Sequence, residues 1–118
     1  MKKCINENEL NTRIALNYTR LAESPYYQID EVFAPDTYDW PADKEGRALL
    51  AFVSHYKISG RRIPCMDQML ERLPSRLNEN GYMGTTRTDV FVEQQLSGHS
   101  WLLRGLCEYY EQFSDKHA

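Results

Sequence analysis

The sequence predicts an all-α chain built from helical hairpins, and three observations lead there. Apolar residues recur at i, i+3, i+4 and i+7 in several separate runs. Glycine, proline and asparagine fall between those runs, where helices stop and turns form. No stretch alternates apolar and polar residues persistently enough for a sheet.

The elements follow in order. Residues 8–23 place Leu10, Ile14, Leu16, Tyr18 and Leu21 at broadly helical spacing. Ser24-Pro25 ends that run, because the residue before a proline avoids the helical region. The aromatic segment YYQIDEVFAPDTYDWPAD has room for a helical turn or two in its first half and reads as irregular loop in its second. Asp43 is placed to cap the next helix, and Glu45 lies in its first turn, where a negative charge suits the macrodipole. Leu49, Phe52, Val53 and Tyr56 form its apolar face, and Gly60 stops it.

Pro64 opens a further helix carrying Met66, Met69, Leu70, Leu73 and Leu77, with Pro74 expected to kink or divide it. Residues 44–59 and 65–79, joined by a short turn, are expected to pair as an antiparallel hairpin. After Asn80-Gly81 and a loop comes a long helix from about Val90 to Ser114. Leu96, Leu103, Leu106, Cys107 and Tyr110 make one stripe on it, while Trp101, Leu102, Tyr109 and Phe113 fill much of the rest. A helix apolar nearly all round is normally buried among other helices. At 118 residues the chain is one ordinary domain, residues 1–118, with few helices to cover it.

Composition narrows the partners. The net charge is -3 and no basic run or patch appears, so nucleic acid is not expected. No apolar run approaches the length of a membrane span. The amino terminus MKKCINENEL turns polar too soon for a secretory signal, which points to a cytoplasmic protein or to a chain numbered without its export segment. Cys4, Cys65 and Cys107 show neither a disulfide framework nor zinc spacing and read as reduced, mostly buried thiols. No cofactor is expected.

Three segments carry groups suited to chemistry. YDWPADKEGR sets Trp40, Asp43, Glu45 and Arg47 at a loop and the helix start after it. Tryptophan with carboxylates suits sugars, since the ring covers C–H faces and the carboxylates accept hydroxyl hydrogen bonds; capping plus a core tryptophan explains the same residues. NGYMGTTRTD fits no phosphate-binding or dinucleotide pattern and reads as a turn displaying Tyr82. In EQQLSGHSWLLRG, His99 follows Gly98 with no second histidine at i+3 or i+4. It is either a structural histidine or a contact residue, and it is not half of a helical metal pair.

In this order, DWPADKEGRALLAFV, NGYMGT and EQQLSGHSWLLRGLCEYY resemble the amino-terminal part of the β-L-arabinofuranosidase-like glycoside hydrolases. The resemblance spans residues 10–114 and is most specific between 39 and 110. It implies part of an (α/α)6 toroid, whose inner helices are apolar all round because they meet the outer ring, both neighbours and the filled centre. It also implies that His99, Trp40, Asp39 and Glu45 bind substrate at one mouth, and that the ligand is a plant-type carbohydrate. In that family a cysteine nucleophile, a zinc site and a general-acid glutamate lie on later helices. Cys4, Cys65 and Cys107 do not match those positions, so no catalytic or metal-binding residue is assigned.

The expected function is therefore a glycoside-hydrolase-like module carrying the sugar side of an active-site mouth without the catalytic centre. The alternative is a small helical interaction or self-assembling module. In either case the long helix should hide its surplus apolar surface in a second copy or in the rest of a split barrel, with Trp101, Leu102 and Phe113 as the expected contacts.

Overall fold

The computed structural model describes residues 6–33, 39–86 and 91–114. Among them the fold is all-α: α1 (Glu7–Glu23), a 3-10 turn (Pro25–Tyr27), α2 (Ile29–Val32), α3 (Asp43–Ser59), α4 (Pro64–Arg76) and α5 (Glu93–Phe113). The described residues form no strand, only an isolated antiparallel bridge between Leu77 and Met83.

Local chemistry sets the ends. Asn6 caps α1 by accepting from the Glu9 N–H at 3.1 Å. Ser24 is extended before Pro25, as proline demands, and its hydroxyl accepts from the Tyr26 N–H. Gly60 ends α3 at φ 71°, in the left-handed region that favours glycine. Pro64 opens α4, where its missing N–H costs nothing. Pro74 lies in the last turn of α4, and the helix stops at Arg76 rather than continuing to residue 79.

One expected cap is corrected. The residue before α3 is Ala42, at φ 71° and wholly buried, and Asp43 is the first helical residue. Asp43 instead accepts from Arg47 Nε at 3.1 Å, one turn on.

The main core surrounds α3. Leu49, Phe52 and Val53 from α3 meet Leu21 of α1, Val32 of α2, Ile63, and Met66 and Met69 of α4. A smaller cluster joins Ala42, Met83 and Leu102, with Leu73 and Leu106 packed against it.

Helix α4 packs against α3 through Met66 and Met69 in the core, as the expected 44–59/65–79 hairpin requires, but the closest packing partner of α3 is α5. The two helices are parallel. Gly98 lies on Pro41 and Asp43, Gly46 lies on Trp101 and Leu102, and Gly105 lies on Gly46 and Leu49. Farther along, Lys57 pairs with Glu108, and the Tyr56 and Phe113 rings stand 4.6 Å apart. Helix α4 runs the other way along α5: Asp67 faces Tyr109 at 3.3 Å, Leu70 shares a groove with Leu106, and Met83 beyond the helix meets His99.

The seam is made by glycine. A methyl group on Gly46 or Gly98 would fall on the backbone of the opposite segment, and one on Gly105 would lie 3.0 Å from the Gly46 carbonyl oxygen. Small residues let the two helix axes approach until backbones touch. As a result α5 turns Gly98, Leu102 and Gly105 inward. Most of the hydrophobic stripe read from the sequence points outward instead, with Leu96 59%, Leu103 63% and Tyr110 65% exposed, while Leu106 packs against the core. Of the three expected contact residues, Leu102 is buried, while Trp101 and Phe113 are partly exposed.

Candidate functional site

The amino-terminal ends of α3 and α5 lie together because Gly98 rests on Pro41. That contact brings Trp40 and His99, the chain neighbours of those two residues, to one end of the helix pair. Asp39 and Trp40 form an exposed bend leading into α3, and the Trp40 carbonyl accepts from the Asp43 N–H at 3.2 Å. Trp40 is 43% exposed. Glu45, one turn into α3, is 1% exposed and lies inside the protein rather than on this rim.

His99 has both ring nitrogens engaged. The Met83 N–H donates to Nε2 at 2.9 Å, so Nε2 is the bare nitrogen and Nδ1 carries the proton, which it donates to the Gln95 carbonyl at 2.7 Å. The ring also stands edge-on to Tyr82, centroids 6.0 Å apart. His99 thus ties the 78–84 loop to α5.

Two residues that sequence reasoning did not single out complete this tie. Gln95 Nε2 donates to the Met83 and Thr85 carbonyls at 3.0 and 3.3 Å. Asn78 receives the Asn80 and Tyr82 N–H groups on its side-chain oxygen and donates to the Gly84 carbonyl at 3.0 Å. The signal available was modest: Asn78 sits two residues before an Asn-Gly pair, where a side-chain amide often mimics a turn.

Beside the rim, Arg47 is held in place. Its guanidinium lies 4.3 Å from the Trp101 ring centroid and bonds Asp43, while Arg104 approaches the same ring at 5.9 Å. An arginine over an indole face gains cation–π attraction.

The thiols divide. Cys65 is buried, and burial pushes its pKa up to about 11, which makes it a poor nucleophile at neutral pH. Cys107 is exposed on α5, against the expectation of a buried thiol. Cys4 falls outside the described residues. Among the described residues no group of three His, Cys, Asp or Glu side chains gathers as metal ligands would, and no helix is long and apolar enough to cross a membrane.

No protein-family profile, curated protein or solved structure matches this chain.

Proposed function

We propose that the chain is a carbohydrate-facing segment of a helical toroid of the β-L-arabinofuranosidase-like kind, without a catalytic centre. The observation that carries this reading is the parallel α3–α5 pair with α4 running antiparallel to α5 between them in the chain. A ring of helical hairpins is wound in that order, inner helix, outer helix, inner helix. Asp39, Trp40 and His99 share the end of the pair that would form part of a mouth. There the Trp40 ring can cover sugar C–H faces, and Asp39 can accept hydroxyl hydrogen bonds. His99 acts as a positioning residue, holding the Met83 loop beside them. Glu45 backs the rim from within.

The openness of the chain supports the same reading. Its radius of gyration is 16.6 Å, against roughly 13.5 Å for a compact domain of this length. An arc of a larger ring would leave such uncovered faces.

Fluorescence titration with L-arabinose and its furanosides tests the proposal. A saturable change abolished in Trp40→Ala is expected, with no hydrolysis by the chain alone. Zinc-dependent turnover lost on replacing a cysteine would overturn the assignment of no catalytic centre. Absence of any sugar-dependent signal would overturn the carbohydrate role.

A second reading, a helical interaction module, is favoured by the outward stripe of Leu96, Leu103 and Tyr110 on α5. These residues repeat every seven positions, the spacing of a helix-packing seam. The partner would be the remainder of the toroid or a second copy of the chain.

A further inference from the structure

A cleft of about 220 Å³ opens on the side of α3 lined by Lys44, Arg47, Ala48 and Ala51, bounded by Tyr26, Tyr27 and Val32. It adjoins the rim, but Trp40 and His99 do not line it, and its reading does not depend on the toroid. The volume falls below the roughly 300–1,000 Å³ of pockets for drug-sized ligands, which limits an occupant to about one small ring.

The chemistry of the walls is specific. Tyr26 and Tyr27 meet edge to face with centroids 5.2 Å apart, a rigid aromatic corner, and the alanines leave an apolar floor. Two cations one turn apart border it in a chain whose net charge is -3. Both are positioned in advance. Lys44 Nζ sits 4.5 Å from the Tyr26 centroid, donates to the Glu31 carbonyl at 2.7 Å and pairs with the Glu31 carboxylate at 3.7 Å. Arg47 is fixed between Asp43 and the Trp101 ring. Lysine has three donors and arginine five, so these bonds need only part of them. Asp43 on the same wall is an acceptor suited to hydroxyl groups.

We infer that this cleft binds a sugar acid: a single hydroxylated ring bearing a carboxylate. The carboxylate meets Lys44 and Arg47, one C–H face of the ring lies on the tyrosine corner, and a ring hydroxyl donates to Asp43. A bare inorganic anion would leave the aromatic corner and apolar floor unused. A neutral sugar would forgo the charge-assisted hydrogen bonds that the spare donors of Lys44 and Arg47 can make beyond their Glu31 and Asp43 partners.

Amide chemical-shift titration of the full chain tests the assignment, using sodium D-glucuronate as probe, D-glucose as its neutral counterpart and acetate as a carboxylate without a ring. Glucuronate should give saturable shifts centred on Lys44, Ala48 and Ala51, with glucose and acetate weaker by at least about ten-fold. Lys44→Gln, which removes a cation, and Ala51→Phe, which fills the floor while keeping both cations, should each weaken glucuronate binding by a similar factor while keeping native helix content. No saturable shift, equal binding of glucose or acetate, or full binding by a natively helical Ala51→Phe protein would overturn it. Trp40 is not part of the cleft lining, and Ala51 is not part of the rim, so loss of arabinose binding in Trp40→Ala and loss of glucuronate binding in Ala51→Phe are read separately.

Discussion

Gly98 rests directly on Pro41, close enough that a methyl group on Gly98 would collide with the Pro41 carbonyl and lie 3.0 Å from the Asp43 nitrogen. The obstacle is backbone and cannot swing aside. Gly98→Ala should therefore destabilise the fold by about 3 kcal/mol or more, at or above the usual upper end for overpacking. Gly46→Ala should behave alike, since its methyl would fall on the Leu102 backbone. Denaturant unfolding followed by circular dichroism measures both; a loss below about 1 kcal/mol would show that the helices part easily.

His99→Ala should cost about 1–3 kcal/mol, because it strands the Met83 N–H that now donates to the ring, and Met83 is 3% exposed. Hydrogen exchange should quicken locally at Met83. Exchange unchanged there would mean that another acceptor takes over.

Leu102 and Leu103 are adjacent but should respond in opposite ways to lysine. Leu102→Lys places a charge where only 6% of the residue is exposed and should unfold the chain. Leu103→Lys, at a site 63% exposed, should keep native helix content, and if the chain is an interaction module it should scatter as a smaller species than the parent. A Leu103→Lys protein that assembles like the parent would clear this face of any role in association.

Acid should weaken the α1–α3 contact through His55, which is 3% exposed and bonded by Asn17 at 3.3 Å. Burial, then the Arg61 charge, holds its pKa below the ordinary 6.5. The unfolded chain then binds the proton first as pH falls, so stability is fully present above pH 6.5 and declines below it, towards the folded value. The difference in unfolding midpoint between parent and His55→Asn should change across that window. Asp67 acts lower, because the hydrogen bond from Arg62 holds its carboxyl below the ordinary 3.8 and its contribution is lost only as pH falls through that lowered value.

Thiol labelling should separate the cysteines. In a Cys4→Ser background, Cys107 should react promptly with a disulfide reagent in the native state, and Cys65 only after unfolding. The buried Cys65, with its pKa pushed to about 11, offers little thiolate near neutral pH. Equal rates for both would contradict the packing around α4.

What the sequence made legible was local. Gly60, Pro64 and Gly81 mark helix ends and a turn because backbone conformation is decided within a few residues. The α3–α5 seam was legible only at Gly98, where a glycine beside His99 allows another backbone to approach closely; Gly46 and Gly105 carry no hydrophobic signal yet also make close approaches. The bulky residues beside them drew attention to the wrong face: Leu96, Leu103 and Tyr110 point to solvent because the glycines already own the inside. In the site, the Gly98–Pro41 contact brings Trp40 and His99 to one end of the helix pair. Glu45 shows the limit, since a first-turn carboxylate reads as exposed and here lies buried. The cleft beside Tyr26 escaped notice because its walls come from segments that look unrelated in sequence.

The parallel seam also sets a timetable for synthesis. Gly46 and Leu102 touch, yet about 55 residues separate them, so closing the contact requires a long loop to form first. Translation at about 5–20 residues per second puts roughly 3–11 seconds between the emergence of one and of the other. Throughout that interval the glycine face of α3 leaves the ribosome without its cover. A chaperone that grips bare helix backbone and apolar side chains would have its best opportunity then. Ribosome-stalled chains ending before α5 should be far more sensitive to protease within α3 than chains in which α5 has fully emerged.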